Sequence, residues 1–176
     1  MKGLKVYYLE DVKDDFFLLK EELNINGVSV YPKNESQWCI EIDLIKNYLL
    51  SNQTEKESQK SIIKNIFKSK DLDLFIFDFY LIGQSSHSGT IYTEIIQGDV
   101  DFANIPVIFL SIVNETAKFE LNTNTSYVLK QDYMNEENIS SIYNKLNEEI
   151  KKFPTILKKL TLNNKSTTID WLKLNF

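Results

Sequence analysis

The chain has 176 residues, of which 43% are hydrophobic and 26% charged; that suits one domain with a real core. A net charge of −5, with no Lys/Arg run longer than the pairs Lys151-Lys152 and Lys158-Lys159, argues against a nucleic-acid partner. Cys39 and His87 are the only residues of their kinds, which excludes an internal disulfide and any cysteine-cluster metal centre. The N-terminus shows no basic-then-apolar leader and no apolar run reaches membrane-spanning length, so the expectation is a cytoplasmic protein without a membrane partner.

Lys5-Val6-Tyr7-Tyr8-Leu9 reads as a first strand ending in Glu10-Asp11. Val12 to Leu23 follows as a helix with Val12, Phe16, Leu19 and Leu23 on one face, closed by Asn26-Gly27. Val28 to Tyr31 is a second strand, stopped by Pro32. Between Lys33 and Thr54 the pattern is double: Trp38, Ile42, Ile45 and Leu49 fit a helical face, while Trp38, Ile40, Ile42 and Leu44 fit strand alternation. Length favours helix for the second half only. Ser51 to Thr54 is a polar loop, and Glu55 to Lys68 a helix with Ile62, Ile63, Ile66 and Phe67 inward.

Leu72 to Leu81 is the central stretch, rich in aromatic and branched residues and free of Gly and Pro. It reads as a strand buried on both faces of a parallel sheet, and it meets a carboxylate at Asp78. Ile82 to Gly89 is a loop of small polar residues, and Thr90 to Gln97 is helical with Ile91, Ile95 and Tyr92 inward. Ile105 to Leu110 is a fourth strand ending at Ser111, and Asn114 to Leu121 a thin helix. Ser126 to Leu129 is a fifth strand ending at Lys130. Asn135 caps a last amphipathic helix burying Ile139, Ile142, Tyr143, Leu146 and Ile150. The alternation predicts a doubly wound, five-stranded parallel sheet of flavodoxin-like order 2-1-3-4-5 over residues 1–152. An insertion (about 33–54) separates strands 2 and 3. Residues 153–176 form a C-terminal appendage: a helical turn around Ile156 to Leu160, then Trp171, Leu172, Leu174 and Phe176, packed on the domain or across a homodimer interface. Cys39 reads as a small buried hydrophobe, and His87 as a solvated side chain.

Strands 1 and 3 are neighbours at the switch point of such a sheet, where ligands bind beyond the strand ends. Glu10, Asp11 and Asp78 therefore converge, flanked by the Ser111 hydroxyl and the Lys130 ammonium. Crowded carboxylates raise one another's pKa unless a cation is present. Hard oxygen ligands with open positions suit Mg²⁺. A strand-end Asp is also a nucleophile towards phosphorus.

Leu9-Glu10-Asp11, Phe77 to Leu81, Ile105 to Ser111 and Tyr127-Val128-Leu129-Lys130 together resemble the receiver domain of two-component response regulators, over about Leu4 to Lys152. The resemblance implies that Asp78 is the phosphoacceptor, loaded by a histidine kinase or phosphotransfer protein. It implies Mg²⁺ on Asp11, Asp78 and the Tyr80 carbonyl, with Glu10 acting through water. Ser111 and Lys130 then bind the phosphoryl group, and Tyr127 is the aromatic switch that alters contacts with a downstream protein. No turnover of an external substrate is implied beyond self-phosphorylation and a slow self-dephosphorylation. Ile112, Ile82 and Gln131 depart from the family pattern, which otherwise has a very small residue and two prolines there. The alternative is a phosphorylation-silent pseudo-receiver acting as a constitutive interaction domain. A haloacid-dehalogenase-type phosphatase needs a second acid two residues after the nucleophile, where Tyr80 stands.

Overall fold

A computed structural model describes residues 3–83, 85–112, 124–130 and 134–162. Five strands, β1 (Lys5–Leu9), β2 (Ser29–Tyr31), β3 (Leu74–Asp78), β4 (Val107–Ser111) and β5 (Thr125–Leu129), form one all-parallel sheet in the order β2-β1-β3-β4-β5. This is the flavodoxin-like arrangement that the alternation of apolar runs predicts. Every residue of β3 and β4 is buried, as the central strands of a sheet covered on both faces must be.

Successive side chains of a strand point to opposite faces, and β1 displays this directly. Tyr8 stacks on Phe16 of α1 (Lys13–Ile25) at 5.4 Å between ring centroids. Tyr7 meets Phe67 of α3 (Gln53–Lys68) edge-on at 4.6 Å. On that second face Phe77, Phe109 and Tyr127 are register partners on β3, β4 and β5. Their rings lie 6.1 and 5.3 Å apart in sequence along the ladder, each contact adding about 0.5–1.5 kcal/mol beyond area burial. On the first face α1 packs with α5 (Ile139–Ile150).

The ambiguous 33–54 stretch is helical in both halves. Asn34 accepts the Gln37 N–H at 2.9 Å and starts α2 (Glu35–Leu50). Trp38, Ile42, Ile45 and Tyr48 are buried while Ile40 is 69% exposed, which decides for the helical period over the strand one. Asn52 caps α3, so the connecting loop shrinks to Ser51-Asn52. Cys39 lies on the outward side of α2 and is exposed, not buried. Val12 and Ile62, expected inward, are also exposed: Val12 precedes the helix proper, and α3 turns a narrower face built on Ile63 and Phe67 to the sheet.

The small polar stretch after β3 is a helix over much of its length. A 3-10 turn (Leu81–Gly83) leads into α4 (Ser85–Ile91), which continues as a π-helical turn over Tyr92–Gln97. The last long helix takes Asn138, not Asn135, as its N-terminal boundary; Asn135 instead accepts the Glu137 and Asn138 N–H groups in the preceding turn. The appendage opens as a helix, α6 (154–162), with Pro154 at its first position, where a missing N–H costs nothing. Phe153 and Ile156 are buried, and the Lys159 ammonium lies 2.6 and 2.7 Å from the two Asp73 carboxylate oxygens, so this part packs on the domain. The Asn114–Leu121 helix, Gln131 and the Trp171–Phe176 positions lie outside the described residues. Among the described residues no helix is long and apolar enough to cross a membrane.

Candidate functional site

Register brings the acids together. Leu9 pairs with Phe77 across β1 and β3, so one residue further on Glu10 stands beside Asp78. Lys130 follows the Ser111–Leu129 pair and donates its N–H to the Ser111 carbonyl at 2.8 Å. It starts two strands away from β3, about 10 Å at ordinary strand spacing, and only a long side chain bridges that gap. Its ammonium reaches Asp78 Oδ1 at 2.7 Å, Glu10 Oε2 at 3.1 Å and Asp15 Oδ2 at 3.7 Å. Lys130 is 8% exposed, so it is no surface lysine. These groups, with Asp11, Val12, Tyr80, Gly83 and Ile112, line a cavity of about 390 Å³.

Glu10 is fully buried and spends both oxygens locally. Oε1 accepts the Val12 N–H at 3.0 Å and Oε2 the Tyr8 hydroxyl at 3.2 Å. Burial, helped by the Asp78 charge and opposed by Lys130, pushes its pKa up to about 7. Burial also raises Asp78, more than the neighbouring Lys130 lowers it. For Lys130 burial works downward, but Glu10 and Asp78 outweigh it and hold the ammonium above the ordinary lysine value. Burial thus favours the protonated form of Glu10 and Asp78, and their carboxylates favour the charged form of Lys130.

The chain beyond Asp78 is fastened by its backbone. Asp78 Oδ2 accepts the Tyr80 N–H at 3.2 Å, and Asp11 Oδ2 the Ile82 N–H at 3.1 Å. Ser88 donates to the Phe79 carbonyl at 2.6 Å and His87 Nδ1 to the Leu81 carbonyl at 3.0 Å. His87 is thus a half-buried tie between α4 and the turn, where a solvated side chain was expected. Ile82 has φ 54°, a conformation a β-branched residue adopts only under constraint.

Glu10, Asp11, Asp78 and Lys130 are brought together as the strand ends predict. Ser111 is buried at the end of β4, and Ile112, 43% exposed, is the residue of that strand end that lines the cavity. Tyr127 is turned inward, its ring 5.3 Å from Phe109 and 5.9 Å from Phe79. The Tyr80 carbonyl already accepts the Gly83 N–H at 3.2 Å. Two participants escape a sequence reading. Asp15 reaches the site from the first turn of α1, and Trp38 donates its indole N–H to the Glu10 carbonyl at 3.0 Å from α2.

No family model matches the chain, and no curated protein matches it. Among solved structures, one similar chain is described as a yeast Spc42 trimeric coiled coil, amino acids 181–211, fused to another structure. It is 16% identical, the match covers 100% of this chain and 99% of that one, and the TM-score is 0.46. A likeness of that degree says nothing about function.

The chemistry of the pocket therefore speaks alone. Carboxylate oxygens of Glu10, Asp11 and Asp78 lie within 4.8 Å of one another. Four carboxylates line the cavity against one ammonium, so charge is left over for a hard divalent cation, and the donor set fits Mg²⁺.

Proposed function

We propose that this chain is a phosphoacceptor signalling module: Asp78 takes a phosphoryl group from a histidine kinase or phosphotransfer protein, and the loaded domain acts through protein contacts. The observation that carries the reading is the Lys130 ammonium 2.7 Å from Asp78 Oδ1, reached across β4 at the switch point of the sheet. A carboxylate so placed attacks phosphorus as its P–N bond to a donor imidazole breaks, and the imidazole leaves with the electron pair. Lys130 balances the charge on the transferred oxygens. Asp11 and Asp78, with Glu10 behind them, would hold Mg²⁺, which when bound would neutralise phosphoryl charge. Glu10 keeps Lys130 pointed inward while Asp78 changes its charge.

Incubation with acetyl phosphate and Mg²⁺ should add one phosphoryl mass to the wild type and none to Asp78→Asn. An unmodified wild type sinks the reading. The second reading, a phosphorylation-silent interaction domain, is favoured by one feature. The β-branched Ile112 lines the same cavity as Asp78, where a large side chain leaves a phosphoryl group less room. Loading of Ile112→Ala but not of the wild type is the result that supports it.

A further inference from the structure

Asp15 has no part in the roles above, yet it faces the same cavity. It lies in the first turn of α1, 5% exposed, with Oδ2 3.7 Å from the Lys130 ammonium. It also accepts the Met134 N–H. Lys130 follows β5 and Met134 precedes α5, so one carboxylate engages a residue from each of these two flanks. The adjacent Asp14 is exposed. Three carboxylates surround this ammonium, at 2.7, 3.1 and 3.7 Å, the last an ion-pair contact beyond hydrogen-bond reach.

We propose that Asp15 is a positioning residue that competes with Asp78 for the Lys130 ammonium, and so sets how the pocket divides its affinity between a divalent cation and a phosphoryl group. The functional half rests on the phosphoacceptor reading; the hold on Lys130 does not. An ionised Asp15 adds negative charge to the cavity and draws Lys130 towards α1. Both effects favour a cation and disfavour an anion at Asp78. Neutralising Asp15 reverses both at once. A merely structural residue, on removal, weakens both ligands together, so movement in opposite directions marks the positioning role.

The test is Asp15→Asn, which keeps the side-chain shape and an acceptor for Met134, with Asp14→Asn as the control of equal charge change. The probes are Mg²⁺ alone and beryllofluoride at saturating Mg²⁺, with the Lys130 ammonium followed by ¹⁵N NMR of lysine-labelled full-length protein. Asp15→Asn should shift the Lys130 resonance, and it should weaken Mg²⁺ and tighten beryllofluoride by about three- to tenfold each, the range of a typical net polar contact. Asp14→Asn should change neither affinity by more than about twofold. An unmoved Lys130 resonance in Asp15→Asn, or both affinities changing in the same direction, overturns the proposal. If the wild type binds neither probe, the phosphoacceptor reading fails. The Lys130 resonance then decides alone: a shift in Asp15→Asn but not Asp14→Asn upholds the hold on Lys130, and no shift ends it.

Discussion

The Trp38 indole donates to the Glu10 main-chain carbonyl at 3.0 Å, tying α2 to the most buried acid of the pocket. Phe16 and Phe17 lie 5.8 and 6.2 Å from the same indole, so the ring is fixed and its environment follows Glu10. In a Trp171→Phe background, which leaves Trp38 as the sole tryptophan, Mg²⁺ should change the emission of Trp38, and Asp11→Ala should abolish that change. Trp38→Phe keeps the packing and orphans the carbonyl, at a cost of about 1–3 kcal/mol by urea denaturation. A variant as stable as the wild type means that water replaces the indole.

The strands and the pocket were readable because both follow from period and register. Once five apolar runs are placed in the order 2-1-3-4-5, their ends must meet. What stayed hidden depends on which neighbour an element finds. Ser85 to Gly89 has the composition of a loop, yet Ser88 and His87 bond back to the Phe79 and Leu81 carbonyls and make a helix worthwhile there. Asp15 looks like an ordinary acid of a helix's first turn, favoured by the dipole; only the approach of Lys130 gives it a second role. Cys39 follows Trp38 on a helix with one buried face, and no spacing argument could say which neighbour faced out while the strand and helix patterns were both open.

Ile82 holds φ 54° while donating to Asp11. Ile82→Gly removes the steric cost of that conformation, about 1–3 kcal/mol, and offsets the loss of a half-buried side chain. It should melt no lower than the wild type. Ile82→Pro imposes φ near −65° and deletes the N–H that Asp11 accepts, so it should both destabilise the fold and change Mg²⁺ affinity. Calorimetry of the two variants separates the effects; a Gly variant that melts well below the wild type would mean that side-chain packing outweighs the strain.

Glu41 and Lys70 form a second buried pair, 2.6 Å apart and each 6% exposed at the side chain. Tyr7 donates to Glu41 Oε2 at 2.7 Å and Gln37 to Oε1 at 2.8 Å, which docks α2 against the sheet. Lys70→Met leaves a carboxylate buried without its counter-ion and should cost about 3–5 kcal/mol. The double variant Glu41→Gln with Lys70→Met removes that charge and keeps an acceptor for Tyr7, so it should recover most of the loss. A double variant no more stable than Lys70→Met would mean that the ammonium itself, packed over the Tyr7 and Tyr31 rings at 5.6 Å, is what holds α2.

The raised pKa of Glu10 fixes a direction for stability against pH. Its carboxyl titrates at about 7 in the folded chain against 4.5 ordinarily. Between those values the folded state binds more protons than the unfolded one, so stability must fall as pH rises through that window and level off above it. For one group the loss amounts to about 3 kcal/mol, and Asp78, raised in the same direction by burial, steepens it. Lys130 acts at the other end: its raised value gives stability that is complete below the ordinary 10.5 and lost only as pH climbs through the folded value. Urea denaturation of the wild type between pH 4.5 and 8 should show the decline, and Glu10→Gln, which cannot ionise, should flatten it. Mg²⁺ should flatten it too, because a bound cation favours the ionised acids and stabilises the folded state where the repulsion is greatest. If Glu10→Gln declines as steeply as the wild type, the proton is held on Asp78, and Glu10 is the carboxylate that stays charged beside Lys130.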